Sequence, residues 1–294
     1  MTPNPLARRR QLASSLHALR TERGYNHAEL SRRSGVSASV ISRTESPLGD
    51  VHRKPNLLSV RRLLDALEVP RGSTLWTQVE GYAEDAAGAG WWEAPTYAHM
   101  GDGQRTYALV EAGASRVWEY AGLLLPGIVQ TAEYARHRVL AVTSDGPASN
   151  PEAIVAGRLE RHRQLIEAGK AEYQLVLEEQ AVRRHPVPPA VMLEQLRRLL
   201  ALMDDAISVR IVPVDARLGD GYAPRAPFAH TSYPDLDDPP IVVVDNVTRA
   251  LLVTDPDEVS GYARLHQRLR DAALPDADSA AYIRDVAAEL AAAT

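Results

Sequence analysis

Asn26-His27-Ala28-Glu29-Leu30 and, after Ser31 to Ser34, Gly35-Val36-Ser37-Ala38-Ser39-Val40-Ile41-Ser42-Arg43-Thr44-Glu45 decide how the N-terminal part of this chain folds. Asn26 precedes Glu29 by one helical turn, so its side chain can cap a backbone N–H while Glu29 reaches back, and Leu30 opens an apolar face. This spacing predicts a short helix. Gly35 can take a positive φ at the following turn, and Ser37 is placed to cap another helix that runs to about Glu45. Val36 and Ile41 then pack inward, leaving Ala38, Ser39, Ser42 and Arg43 to project outward. Upstream, Leu12, Leu16 and Leu19 recur at helical spacing between Arg8 and Arg23, and Gly24 sits where a C-cap belongs. Downstream, past Pro47 and a polar loop holding Arg53 and Lys54, residues Leu57, Leu58, Val60, Leu63, Leu64 and Leu67 form an amphipathic helix. A fifth helix starts near Ser73.

The charge is divided along the chain. The net charge is −5 over 294 residues, but residues 1–62 carry +8 and residues 63–294 carry −13. A basic first fifth is the electrostatic footprint of a phosphate-binding surface, whereas the acidic remainder repels a duplex unless it is held away from one. A solvated basic face has the same composition. Arg8, Arg9 and Arg10 have two readings of equal weight, a reach to a flanking phosphate or a soluble terminus.

In this stretch the chain resembles the Xre and phage-repressor family of five-helix helix-turn-helix domains, over about residues 8 to 83. The resemblance implies an ion pair between Arg20 and Glu45 that ties the first helix to the end of the third, and it places Asn26, His27, Arg43 and the loop around Lys54 near DNA. The chain departs from the family pattern at Ser31, Thr44 and Ser46-Pro47. On this reading the second helix braces against the first, while one face of the third remains free to lie in the major groove. The expected DNA-binding residues are Asn26, His27, Ser37, Ala38, Ser39, Ser42, Arg43, Arg53 and Lys54. Arg43 offers a bidentate fork to guanine, and Ala38 an apolar contact to a thymine methyl. Glu29 and Glu45 are read as fold residues, because carboxylates repel phosphate.

About 150 residues per domain gives two domains. The expected division is a helix-turn-helix domain at 1–85, a linker at 86–90 within the small, flexible run Glu84 to Gly90, and a second domain at 91–294. Strand-like runs occur at Tyr173 to Leu177, Ser208 to Val214, Pro240 to Val244 and Ala250 to Thr254, with a turn at Asp245-Asn246. Helical patterns occupy Thr131 to Val142, Glu152 to Ala168, Pro189 to Met203, Pro256 to Ala272 and Ser279 to Ala292. The fold class expected is thus an all-α five-helix domain followed by an α+β domain with a small sheet.

Much chemistry is excluded or lacks a signature. There is no cysteine, so disulfides, thiolate metal sites and a cysteine nucleophile are ruled out. Lys54 and Lys170 are the only lysines, and neither stands in a P-loop or an S-x-x-K motif. No H-E-x-x-H, G-x-S-x-G or strand-linked G-x-G-x-x-G occurs, and His162 and His185 are isolated. The pairs Glu178-Glu179 and Asp204-Asp205 read as solvated faces, and Gly219-Asp220-Gly221-Tyr222 as a loop. No enzymatic activity, metal or cofactor is expected. No secretory h-region follows Arg8 to Arg10 and no run is long enough to span a bilayer, so a cytoplasmic protein without a membrane partner is expected.

The second part also resembles a C-terminal domain of unassigned biochemistry, often called antitoxin-like, that follows Xre-type domains in actinobacterial regulators. The matching stretches include Trp91-Trp92, Tyr107 to Ala114, Tyr120 to Ala135, Val176 to Arg183, Ala226-Pro227-Phe228 and Pro240 to Asp245. The resemblance implies a transcription regulator that meets a small protein encoded nearby, and a small-molecule signal as well. Phe228 is the only phenylalanine and aromatic residues are scarce, so Trp91, Trp92, Trp118, Tyr120, Tyr134 and Phe228, with Gln130, stand out as ligand or partner anchors or as core. For the segment from Pro126 to Ala135 a structural role is favoured, with Gln130-Thr131 capping the next helix. The expected function is a sequence-specific DNA-binding transcription regulator. It is expected to be a homodimer on a double-stranded operator and to be modulated through its second domain. The alternative is an antitoxin-like module that sequesters a small partner protein, with DNA binding serving autoregulation.

Overall fold

In the computed structural model, which describes residues 3–46, 48, 50–143, 150–169, 171–219, 224–246 and 250–293, the chain divides into two units. One comprises Met1–Trp91 together with Tyr233–Pro239, the other Trp92–Ser232 and Pro240–Thr294. Pro47, Lys170 and most of the expected loop at Gly219 to Tyr222 lie outside the described residues.

The first unit is helical. Asn4 accepts hydrogen bonds from the backbone of Leu6 and Ala7, and Pro5 supplies a pre-set φ, so α1 (Pro5–Glu22) starts before the first leucine of the apolar stripe. The expected start at Arg8 came from apolar spacing, which this cap precedes. Asn26 caps α2 (His27–Ser34), which ends at Gly35 with φ of 70°, a left-handed conformation that disfavours any side chain. Ser37 then caps α3 (Ala38–Thr44). Asn56 caps α4 (Leu57–Ala66), and Ser73 caps α5 (Thr74–Ala87). Leu12, Leu16, Leu30, Ile41, Leu63, Leu64, Trp76 and Val79 form one core, each large aliphatic stabilising the fold by about 1.5–3 kcal/mol. The linker expected from residue 86 begins later, because α5 continues through Ala87 with Ala86 buried. Alanine is the strongest helix former, and small residues there extend the helix.

The second unit is α+β. After a short 3₁₀ turn at the boundary, Trp91–Glu93, and a second at Pro95–Tyr97 come α6 (Asp102–Glu111) and β1 (Arg116–Ala121). A third such turn at Gly127–Val129 leads into α7 (Ala132–Thr143) and α8 (Pro151–His162), and α8 runs on as a wider π-type turn over Arg163–Glu167. Next follow β2 (Glu172–Glu178), α9 (Glu179–Arg183), α10 (Pro189–Asp205), β3 (Ile207–Val212), β4 (Phe228–Ser232), β5 (Ile241–Asp245) and β6 (Ala250–Val253). Two helices close the unit, α11 (Pro256–Ala272) and α12 (Asp276–Ala292).

The strands form one sheet in the order β3-β2-β1-β4-β5-β6. β1, β2 and β3 are parallel, so each connection must cross over, and the helices α7–α8 and α9–α10 do so. From β1 outward through β4, β5 and β6 every pairing is antiparallel. The strand β1 is therefore where the parallel half meets the antiparallel half.

The α+β class matches the expectation from sequence, but the sheet is larger, since β1 and β4 were not foreseen. Both carry buried polar residues, Glu119 in β1 and His230 and Thr231 in β4, which interrupt the apolar alternation that marks a strand. Among the described residues no helix is long and apolar enough to cross a membrane.

Candidate functional site

Two places stand out in the structure, one in each unit. In the first, α3 is fixed from behind by Ile41, which is 1% exposed, and by a clamp on Glu45. Arg20 on α1 donates from Nε to Glu45 Oε1 at 2.8 Å and from Nη2 to Oε2 at 2.7 Å, and from Nη1 to the carbonyl of Tyr25 at 2.8 Å. His17 and His27 approach Glu45 Oε2 at 3.1 and 3.3 Å. Burial alone would raise the Glu45 pKa, but these donors outweigh it and hold the carboxylate below its usual range. One acidic side chain thus binds the end of α3 to α1 and α2.

The residues on the other side are open. Asn26, Ser37, Ser39, Arg43, Arg53 and Lys54 are exposed, and His27, Ala38 and Ser42 are half-buried. Asn26 and Ser37 spend their side-chain oxygens as caps, on Glu29 N and Val40 N. Arg43 lies along α3 with Nη2 3.5 Å from Ser39 Oγ, at the limit of a hydrogen bond, so its guanidinium is held loosely. The Arg8 to Arg10 run is neither free tail nor open surface. Arg9 is buried and donates to the Arg53 carbonyl, while Arg8 pairs with Asp235 and comes within 3.3 Å of Asp238 and 3.7 Å of Asp85. Asp235 and Asp238 belong to the segment Tyr233–Pro239 of the same unit.

In the second unit a cavity of about 900 Å³ opens at the carboxyl ends of β1 and β2. The loop Gly122 to Gly127 after β1, Glu178 at the end of β2, Pro224 to Pro227 before β4, and Asp245 at the end of β5 with Asn246 after it border it. Chain geometry explains the opening. β1 and β2 run into the rim in parallel and their continuations depart to different helices, while β4 begins and β5 ends there, as antiparallel neighbours must. A crevice at such a change of connection is where open sheets accept ligands.

Its wall is mostly apolar, but it carries an unusual set of charged side chains. Glu119 points from β1 into the face covered by α6 and α8 and accepts a hydrogen bond from the Tyr173 hydroxyl. Burial pushes its pKa up to about 8, more than the Tyr173 hydrogen bond and Arg161 can offset, so the group is mostly protonated at neutral pH. Arg161 on α8, itself 3% exposed, donates from Nε and Nη2 to Glu111 at 2.8 and 2.5 Å and from Nη1 to Gln104 at 2.9 Å, and lies 4.4 Å from the centre of the Tyr107 ring. Burial opposes this charge, but Glu111 prevails and the arginine is held above its ordinary pKa. On the opposite face of the sheet, the Tyr120 hydroxyl donates to Glu178 at 2.9 Å. Burial raises the pKa values of both Glu178 and Asp245. Among the described residues no group of three or more His, Asp or Glu side chains is arranged to hold a metal.

Of the seven residues singled out in this part of the sequence, Tyr120 and Gln130 line the cavity. Gln130 also donates to the Leu125 carbonyl, and Thr131, beside it, accepts from Tyr134 N at the start of α7. The others lie elsewhere. Trp118 stacks between His230 and His266, each 5.1 Å away, and burial pushes His266 down to about 4, so it is neutral. Phe228 packs between Tyr120 and Tyr262, Tyr134 is fully buried, and Trp92 is buried while Trp91 is half-buried. Glu178 is a correction: it faces the cavity as the acceptor of Tyr120 rather than forming a solvated face with Glu179. His162, which looked isolated, is buried with Nδ1 2.8 Å from the Ile128 carbonyl and Nε2 2.9 Å from Arg198.

The sequence does not single out the charges of Glu119, Arg138, Arg158, Arg161 and Asp245, because it is their gathering around one cavity, and the burial of Glu119 and Arg161, that distinguishes them rather than any spacing. The one local signal was Glu119 within Val-Trp-Glu-Tyr-Ala, a carboxylate on the inward side of an alternating apolar run.

Five capped helices followed by an α+β domain with a crevice that carries charged side chains describe a chain with a helical unit and a pocket-bearing unit. A family described as a domain of unknown function, DUF5753, matches residues 104–285, well over half of the chain, and the chain belongs to that family. No curated protein and no solved structure matches it.

Proposed function

We propose that the chain is a sequence-specific DNA-binding transcription regulator of the helix-turn-helix type, with the second unit modulating it. The observation that carries this reading is α3: a short capped helix, braced by Arg20, His17 and His27 through Glu45, with Ser39 and Arg43 exposed on its outer side. A helix so braced enters the major groove without deforming, and Arg43 suits guanine O6 and N7 there. Arg53 and Lys54, exposed before α4, suit flanking phosphates. The +8 charge of residues 1–62 supports the same assignment. A single unit of this size covers too little DNA for strong selectivity, so the working form is a homodimer on paired half-sites. The cavity of the second unit favours a small-molecule signal as the modulator.

The test is fluorescence anisotropy of the full chain on the DNA upstream of its own coding sequence, beside a scrambled duplex, at low and high salt. Wild type is expected to bind the first selectively. Arg43→Ala should lose about 1–3 kcal/mol of discrimination, whereas Lys54→Ala should weaken both duplexes alike and reduce the salt slope by about one. Identical behaviour of the two variants would remove α3 as the reading helix, and equal affinity for both duplexes at all salt concentrations would overturn the proposal.

A further inference from the structure

We infer that the cavity at the carboxyl ends of β1 and β2 binds a small organic anion, whose phosphate or carboxylate group is held by Arg158 and Arg138 beside the amide of Gln130. The decisive feature is Arg158. It projects from α8 into the cavity wall, its Nε is sealed from solvent with no hydrogen-bond partner, and its Nη1 donates to the neutral Gln130 Oε1 at 2.5 Å. Among the described residues no carboxylate lies within ion-pair distance of it. A guanidinium withdrawn from water is ordinarily paired, because its desolvation cost is otherwise unrecovered. The neighbouring Arg161 shows what pairing looks like here, with both Glu111 oxygens on its fork.

The surroundings favour an anion further. Arg138 on α7 also lines the cavity, with neither a hydrogen bond nor an ion pair to any described residue, and Arg225 stands at the rim. Burial, with Arg161 and Arg138 nearby, lowers Arg158 to about 10, so it stays charged at neutral pH while strained by like charge. The buried carboxyl on the wall, Glu119, is mostly protonated and does not neutralise this group. A bound oxyanion accepts the donors that Arg158 leaves unused, in charge-assisted bonds. Glu178 and Asp245 also line the cavity, as acceptors for Tyr120 and Tyr107, with Asp245 near enough to Arg158 to feel its charge but beyond ion-pair distance; their remaining acceptor capacity suits hydroxyl or amino groups of the ligand. The volume matches an organic molecule rather than a bare ion.

The inference goes beyond the DNA-reading proposal and does not depend on it, since its test contains no DNA. Phenyl phosphate, benzoate and inorganic phosphate are titrated into the full chain by calorimetry, with neutral benzamide as the shape control. Expected is millimolar or tighter binding of at least one aromatic anion, with benzamide at least tenfold weaker. Phosphate over carboxylate, or the reverse, tells which head group the site prefers. Arg158→Gln should weaken anion binding by about tenfold to hundredfold, the range for losing a charge-assisted hydrogen bond. Arg138→Gln should weaken it severalfold. Arg136→Gln, an exposed neighbour paired with Glu133 and Glu152, should leave it unchanged. A melting curve of ligand-free Arg158→Gln adds a second readout: a ligand-holding arginine leaves stability equal or higher when replaced, whereas a structural one lowers it. The inference is overturned if neither aromatic anion binds, if benzamide binds as well as they do, or if Arg138→Gln and Arg158→Gln both retain wild-type affinity.

Discussion

Glu119→Gln should stabilise the chain in alkaline solution and leave it nearly unchanged in acid. In the folded state Glu119 has a pKa of about 8, because burial outweighs the help of Tyr173 and Arg161, against an ordinary 4.5 in the unfolded chain. Below the lower value both states hold the proton and Glu119 contributes no slope. Between the two values the unfolded chain has released its proton and the folded one has not, so stability falls as pH rises, by about 1.4 kcal/mol per unit. Above the upper value both states are ionised and the loss is complete, at about 4–5 kcal/mol. Glutamine mimics the protonated acid: its carbonyl still accepts from the Tyr173 hydroxyl, and it carries no titratable proton. The difference between wild type and Glu119→Gln in urea unfolding, measured from about pH 5 to pH 9, should therefore start near zero and grow to about 3 kcal/mol by neutrality. Glu178 and Asp245 also have raised pKa values, but they are common to both proteins and largely cancel in the difference. Parallel stability curves across this range would show that Glu119 is ionised in the fold, and would refute the account of the cavity wall given above.

Three further substitutions test the packing. Arg20→Ala removes the fork from Glu45, whose side chain is 6% exposed, and should cost about 3 kcal/mol, read as a lower denaturation midpoint; an unchanged midpoint would take the clamp out of the account. Gly35→Ala places a side chain at a φ of 70° and should cost about 1–2 kcal/mol in the same assay, with no loss if the turn relaxes instead. Gly157→Ala sets a Cβ 2.7 Å from Met100 Sδ and 3.2 Å from its Cβ, so overpacking should exceed the helix-propensity gain and leave a net loss of about 1 kcal/mol, whereas a gain would mean that Met100 moves aside freely.

What could be read from the amino acids depended on whether burial followed polarity. In α2, α3, α4 and α5, Asn26, Ser37, Asn56 and Ser73 each mark the cap by chemistry that acts within one turn, so their starts were visible or nearly so. The α+β class likewise followed from the apolar runs of β2, β3, β5 and β6. The strands β1 and β4 hid because Glu119, His230 and Thr231 are buried where polarity suggests exposure. The helix α6, with Asp102, Gln104, Arg105 and Glu111, looks polar for the related reason that Glu111 faces inward to meet Arg161. The cavity was the least legible feature. Its charged residues come from α7, α8, β1, β2 and the end of β5, and only the three-dimensional fold reveals that, among the described residues, Arg158 has no carboxylate such as Arg161 has. Aromatic scarcity pointed at Tyr120, which borders the cavity, and at Trp118 and Phe228, which pack against other rings.

The segment Tyr233–Pro239 joins β4 to β5 yet belongs to the helical unit, where Asp235 and Asp238 meet Arg8 and the Asp237 carbonyl accepts from Gln11. The helical unit is thus discontinuous in the chain, and it cannot be excised by a single cut near Gly88 to Gly90. A fragment ending at Trp91 would carry all five helices but lack the acidic cover on α1, leaving Arg8 among Arg9 and Arg10 with Asp85 as its remaining acidic neighbour. During synthesis the same unit would wait for the ribosome to pass residue 239 before its last part existed, which makes completion of the first unit a late event in the life of the chain.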